Sequence, residues 1–234
     1  MIQITNKNLI NYLQTILNKK YDNIDYNDLD NIQNIYFEGE MKEDEAYKIN
    51  ISDITKFKNL KQVCITNALI TLENLNLIRN SGASKVILKG CAIDADSSLI
   101  VLDNITSLEL IGCFIEDYSF LTDLVNLKSL VIFKNQSSKE VNAEYIQPSI
   151  ESLTLQDCRV NNFNSISKLI NLRKLNIFKS LIKGDIVPTL NKLSLLEEIY
   201  IYGIYDLSGL NNNIKVKTNL NDLLVDDVEN TKHI

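Results

Sequence analysis

Residues 105–115 read ITSLELIGCFI and residues 150–160 read IESLTLQDCRV. Both follow one template, with an aliphatic residue at the first, fourth, sixth and eleventh positions and cysteine at the ninth. Aligning the rest of the chain on the first position gives starts at Ile32, Leu60, Ala83, Ile105, Leu127, Ile150, Leu172 and Leu196. These are separated by 28, 23, 22, 22, 23, 22 and 24 residues. Self-similarity at such a period is the mark of a solenoid, in which each copy forms one coil that its neighbours must cover. A weaker ninth strand centres on Ile214 and Val216.

Within each copy the stretch around the fourth and sixth positions alternates with period two, as in a short strand with one buried face. The remainder recurs in threes: Ile115, Tyr118, Leu121, Leu124 and Leu127; Val160, Phe163, Ile166, Leu169 and Leu172; Ile51, Ile54, Phe57 and Leu60. A period of three suits 3₁₀ turns, where residues three apart share one face. The segments 73–80, 138–146 and 185–192 break strict threes, which predicts short α-helices there. Leu9, Ile10, Leu13, Ile16 and Leu17 fall on one helical face after the capping candidates Thr5 and Asn6, which predicts an amphipathic helix to about Lys19. Leu220, Leu223, Leu224 and Val228 are candidates to close the other end, with a frayed tail from Asp226.

The template resembles that of leucine-rich-repeat proteins, of the 22-residue class to which the internalins belong. The likeness runs over residues 32–206. It departs at Ser137 and Asp206, where an aliphatic is expected, and at the long first interval with its acidic insert Glu38–Glu45. The resemblance implies an α/β leucine-rich-repeat solenoid, a curved horseshoe with a parallel concave sheet and a convex side of 3₁₀ segments and short helices. The N-terminal helical cap then spans 1–31, the solenoid of about eight repeats 32–206, and a C-terminal cap and tail 207–234. It also implies that the ninth position points inward to bond neighbouring backbone. Cys91, Cys113 and Cys158 occupy it, so they read as a structural ladder. Cys64 instead holds a fifth position, facing out of the sheet.

Composition narrows the function classes. The formal net charge is −6, with 30 acidic against 24 basic residues, which disfavours non-specific binding to nucleic acid or anionic lipid. No signal peptide or membrane span is legible, so a cytoplasmic protein with four reduced thiols is expected. The single histidine, His233, lies in the tail, and neither phosphate-loop motif is present, so no enzyme, cofactor or metal is expected. Asp22, Asp25, Asp28 and Asp30 are spaced somewhat like a calcium loop, but Tyr26 and Leu29 fill positions that need oxygen ligands, and a solvated turn is the better reading.

In the resembled family positions two, three, five, seven and eight project from the concave sheet. The fifth column then runs Tyr36, Cys64, Ile87, Glu109, Val131, Thr154, Asn176, Tyr200. The seventh runs Glu38, Thr66, Lys89, Ile111, Phe133, Gln156, Phe178, Tyr202. A solvated sheet face should be polar, yet Ile87, Ile111, Val131, Phe133, Phe178, Tyr200 and Tyr202 all point outward. A one-residue slip would hide them only by exposing the whole Leu/Ile set. An exposed stripe of about 25 Å is expected to bind another protein, with Lys89, Glu109, Lys134, Gln156 and Lys174 among and beside it. The expected function is therefore a non-enzymatic, bacterial-type interaction module, monomeric when unbound, acting as an inhibitor or immunity-type protein. The alternative is a peptide or glycan receptor domain of the internalin adhesion kind.

Overall fold

The computed structural model describes residues 2–39, 49–93, 102–136, 139–203 and 205–218. Nine strands form one parallel sheet in strict chain order: Asn34–Glu38, Gln62–Thr66, Lys85–Lys89, Ser107–Ile111, Ser129–Phe133, Ser152–Gln156, Lys174–Phe178, Glu198–Tyr202 and Lys215–Lys217. The repeat alignment is also the hydrogen-bond register. Leu108 pairs with Leu130, Leu130 with Leu153, and Leu153 with Leu175. Each coil therefore adds one strand beside the last, and the fourth and sixth positions stack into continuous inward columns. Leu153, Leu155, Leu175 and Ile177 are completely buried, and each such side chain contributes about 1.5–3 kcal/mol through its removal from water.

The convex side follows the period of three. Ser52–Lys56, Ser119–Asp123, Ala143–Tyr145 and Phe163–Lys168 are 3₁₀ segments, while Leu72–Asn80 and Ile186–Leu190 are α-helical. Val160, Phe163, Ile166, Leu169 and Leu172 are all fully buried, because the eclipsed geometry of 3₁₀ turns keeps one edge of the chain against the core. The short helix expected over 138–146 is not what forms in the described part of that stretch. Val141 instead pairs with Val160 in a small second sheet that also takes in Leu181 and Ile182. The Asn142 side chain then accepts the Glu144 N–H at 3.0 Å and starts a single 3₁₀ turn.

Two local devices join strand to convex segment. At the eighth position the backbone is left-handed in coil after coil: Asn67, Gly90, Gly112, Lys134, Asp157 and Lys179 have φ between 49° and 60°. This kink turns the ninth side chain inward, where it bonds one carbonyl of the preceding coil and the carbonyl of its own coil's seventh residue. Cys91 Sγ donates to Ile65 O and Lys89 O, Cys113 Sγ to Leu88 O and Ile111 O, and Cys158 Sγ to Ile132 O and Gln156 O. Ser180 Oγ repeats the pattern with Leu155 O and Phe178 O. A second ladder, unforeseen in sequence, lies one residue before three of the copies: Asn59, Asn126 and Asn171 donate to Asp30 O, Asp103 O and Pro148 O of the preceding coil, at 2.7, 2.7 and 3.0 Å.

The N-terminal helix spans Lys7–Leu17, with Asn6 accepting the Leu9 N–H at 3.0 Å. Leu9 and Leu13 are fully buried, whereas Ile16 is 46% exposed. Ile16 sits about 60° from Leu13 around the helix, at the margin of the apolar arc and in the last turn. The helix is anchored by Asp53, whose buried carboxylate accepts the Thr5 N–H at 2.8 Å, the Thr5 hydroxyl at 3.0 Å and the Asn6 N–H at 2.9 Å. The aspartate cluster that follows is helical over Tyr26–Asp30, with Asp25 and Asp28 capping each other. Lys19 and Lys58 neutralise Asp28 and Asp30. At the far end Ile214 is buried, and Val216 pairs with Ile199. Leu220, Leu223, Leu224, Val228, His233, Ser137 and most of the acidic insert lie outside the described residues.

Candidate functional site

The fifth and seventh positions of every strand lie on the face opposite the core, and that face divides into two halves. Toward the N-terminus it is closed. Cys64 is 2% exposed and Ile87 6% exposed, and Cys64 lies between its register partners Tyr36 and Ile87. Tyr36 is hydrogen-bonded to Thr66 at 2.8 Å. Lys85 pairs with Glu109 at 2.7 Å, on a line that passes diagonally beside Ile87, the register partner of Glu109. Lys89 lies beside Ile111 in the register.

Toward the C-terminus the face is open. Ile111, Val131, Phe133 and Phe178 are partly exposed, and Tyr202 is 41% exposed. The Phe178 and Tyr202 rings stack at 5.0 Å with 23° between their planes. Lys179 Nζ lies 5.4 Å from the Phe178 centroid. Gln156 separates Phe133 from Phe178 along the seventh column. Asn176 donates to Thr154 Oγ1 at 3.0 Å beside them. The apolar run from Ile111 to Tyr202 crosses five strands, about 19 Å.

Tyr200, expected to be part of this stripe, is covered. It is 8% exposed, because Lys217 of the ninth strand lies 4.3 Å over its ring, bonds its hydroxyl and pairs with Glu198 at 2.5 Å. The hydrogen bond from Lys217, outweighing the opposing effect of burial, holds the Glu198 carboxyl below its ordinary range, and Lys215 and Lys174 add to the field. Of the residues expected at the interface, the structure brings together Ile111, Val131, Phe133, Lys134, Gln156, Lys174, Phe178 and Tyr202. It draws Ile87, Glu109 and Tyr200 into internal contacts.

The four cysteines are free and buried. Burial pushes the Cys91 thiol up to about 12 and the Cys158 thiol up to about 11, and raises Cys113 and Cys64 in the same sense. A thiol so shifted holds its proton at neutral pH and makes a poor nucleophile or metal ligand. Among the described residues no three His, Cys, Asp or Glu side chains gather into a metal site. No helix there is long and apolar enough to cross a membrane.

One strand per coil, an all-parallel sheet, 3₁₀ and short helical returns and an inward ninth-position ladder define a leucine-rich-repeat solenoid. Among solved structures it is similar to an internalin (inlF) from Listeria monocytogenes str. 4b F2365, at 21% identity and TM-score 0.51, over 74% of this chain and 48% of that one. It is also similar to internalin C2 (inlC2) from the same strain, at 20% identity and TM-score 0.49, over 90% and 91% of the two chains. The chain thus spans about half the length of the first. At these identities the likeness is one of fold, and the fold is internalin-like. No protein-family model matches the sequence, and no curated protein does.

Proposed function

We propose that this chain is a non-enzymatic binding module that seats a partner protein on its concave face over the fourth to eighth coils. In this reading residues 1–31 cap a solenoid of residues 32–206, and 207–234 close it. One observation carries the reading: the stacked Phe178 and Tyr202 rings, with Phe133 two strands further along the column, stand on a face that strand alternation reserves for polar residues. Partly exposed aromatic anchors at the centre of a preformed surface are what protein interfaces concentrate their energy on. A rigid, preshaped face also loses little freedom on association, which suits an occluding inhibitor or immunity-type protein. The buried free thiols fit a reducing, cytoplasmic setting.

The test is affinity capture with the native chain as bait and mass spectrometry as readout. Phe133→Ala with Phe178→Ala is expected to weaken capture by about 2 kcal/mol or more, a loss of roughly thirtyfold. Val125→Ala with Ile170→Ala, at exposed apolar positions outside the sheet, is the control and should change nothing. Capture undiminished by the first pair, or abolished by the second, overturns the reading.

A further inference from the structure

We infer that the partner presents an acidic protein surface with an aliphatic or aromatic anchor at its centre; this rests on the concave face being a protein-binding site. The sequence scatters charges of both signs along the strands, and the structure sorts them. Lys85 with Glu109, Lys128 with Glu151 and Arg173 with Glu197 neutralise one another within the sheet. Among the described residues, what remains around the open half is cationic. One rim, at the eighth positions, carries Lys134, Asp157 and Lys179. The other gathers Lys174, Lys215 and Lys217 about the single carboxylate Glu198. Five lysines thus stand against two carboxylates, on a chain whose formal net charge is −6. The border of the aromatic stripe is thus net positive on a chain that is net negative.

Lys134 and Lys179 hold φ of 54° and 49° at the eighth position, where Asn67 and Asp157 hold 51° and 55° and Gly90 and Gly112 hold 60°. Left-handed backbone suits glycine and disfavours a lysine, and each lysine is set at the end of its strand by this turn.

Cations beside aromatic rings also suit single-stranded nucleic acid, which stacks its bases on open ring faces. Here the Phe178 and Tyr202 rings stack on each other, Lys179 lies near Phe178, and Lys217 covers Tyr200. The arrangement fits an apolar anchor seated against Phe133 and the Phe178–Tyr202 pair. Carboxylates on the partner then reach the two rims, about 16 Å apart over five residue steps of a strand.

The experiment selects a displayed random-peptide library on the immobilised full chain, then measures the enriched peptides by fluorescence polarisation. Peptides rich in Asp and Glu around an apolar residue are expected. Converting their acids to amides should weaken binding at least about tenfold, and affinity should fall as salt rises from about 50 to about 300 mM. Lys134→Glu with Lys174→Glu and Lys179→Glu should do the same. Lys179→Gly, which relaxes the backbone, keeps the test open if the reversed variant does not fold, and should lower affinity severalfold. A selection that enriches no acidic class, or binding indifferent to these changes yet lost in Phe133→Ala/Phe178→Ala, overturns the acidic partner while leaving the concave site standing. Binding that survives the aromatic pair overturns both. An oligothymidylate strand bound more tightly than the selected peptides makes the face a nucleic-acid site and overturns the inference.

Discussion

At Lys134 and Lys179 the fold and the surface make opposite demands. Replacing either by glycine removes a side chain that left-handed backbone disfavours, so each variant is expected to gain about 0.5–1 kcal/mol in urea denaturation while losing partner affinity. A variant that is less stable would show that the lysine stems are packed rather than strained. The cysteines make the converse case, of chemistry spent on folding. With thiols buried and held protonated, labelling by a disulfide reagent at pH 8 should proceed only as fast as the chain unfolds. Cys113→Ser should be tolerated, since Ser180 already makes the equivalent pair of bonds in its own coil. Cys113→Ala should cost about 1–3 kcal/mol, by taking the thiol donor from Leu88 O, whereas Ile111 O keeps the Gly90 N–H. The ninth column was legible through the template's resemblance to leucine-rich repeats, which implies an inward side chain at that offset. The eighth was not, since a lysine gives no hint that its φ is positive.

The N-terminal helix shows the same divide among elements. Its apolar arc and Asn6 cap follow from local sequence, but its anchor does not, because Asp53 meets Thr5 and Asn6 across nearly fifty residues. Burial pushes the Asp53 carboxyl up, yet Lys56 and the donors of Asn6 and Thr5 outweigh it, so its folded pKa lies below the ordinary value. A carboxyl with a depressed folded pKa contributes stability above its unfolded value, near 3.9, and that contribution is lost as pH falls through the folded pKa. The cap should therefore loosen first in acid, below about pH 4, read as amide exchange in Lys7–Leu17 ahead of the central strands. Asp53→Ala should cost about 2–4 kcal/mol at pH 7 and flatten this acid limb. An unchanged acid profile would assign the loosening to other carboxylates. The convex returns were legible where threes were unbroken, and failed over 141–146, where pairing with Val160 in a neighbouring coil overrode the local pattern.

For the molecule as a whole, stability is shared between neighbouring coils rather than held in one centre. Amide exchange should be slowest in the strands of the fifth to seventh coils, whose inward residues are almost wholly buried. It should be fastest at Lys215–Lys217, which among the described residues pairs on one side only and leaves Val216 39% exposed. Uniform exchange along the sheet would refute that picture. Sequence columns told which strand positions face away from the core but not which half of that face is open. Whether Ile87 or Tyr200 meets solvent depends on Lys85–Glu109 and on Lys217, contacts set by neighbouring coils and by side-chain reach. The ninth-position ladder carries a further consequence. Each donor also answers a carbonyl of the preceding coil, so an insertion of a few residues within that register would break the bond between coils and be expelled as a surface loop. Descendants of this chain can then resize their recognition area only in whole increments of about 4.8 Å, acquiring or discarding complete coils, while substitutions on the outer columns retune what each increment contacts.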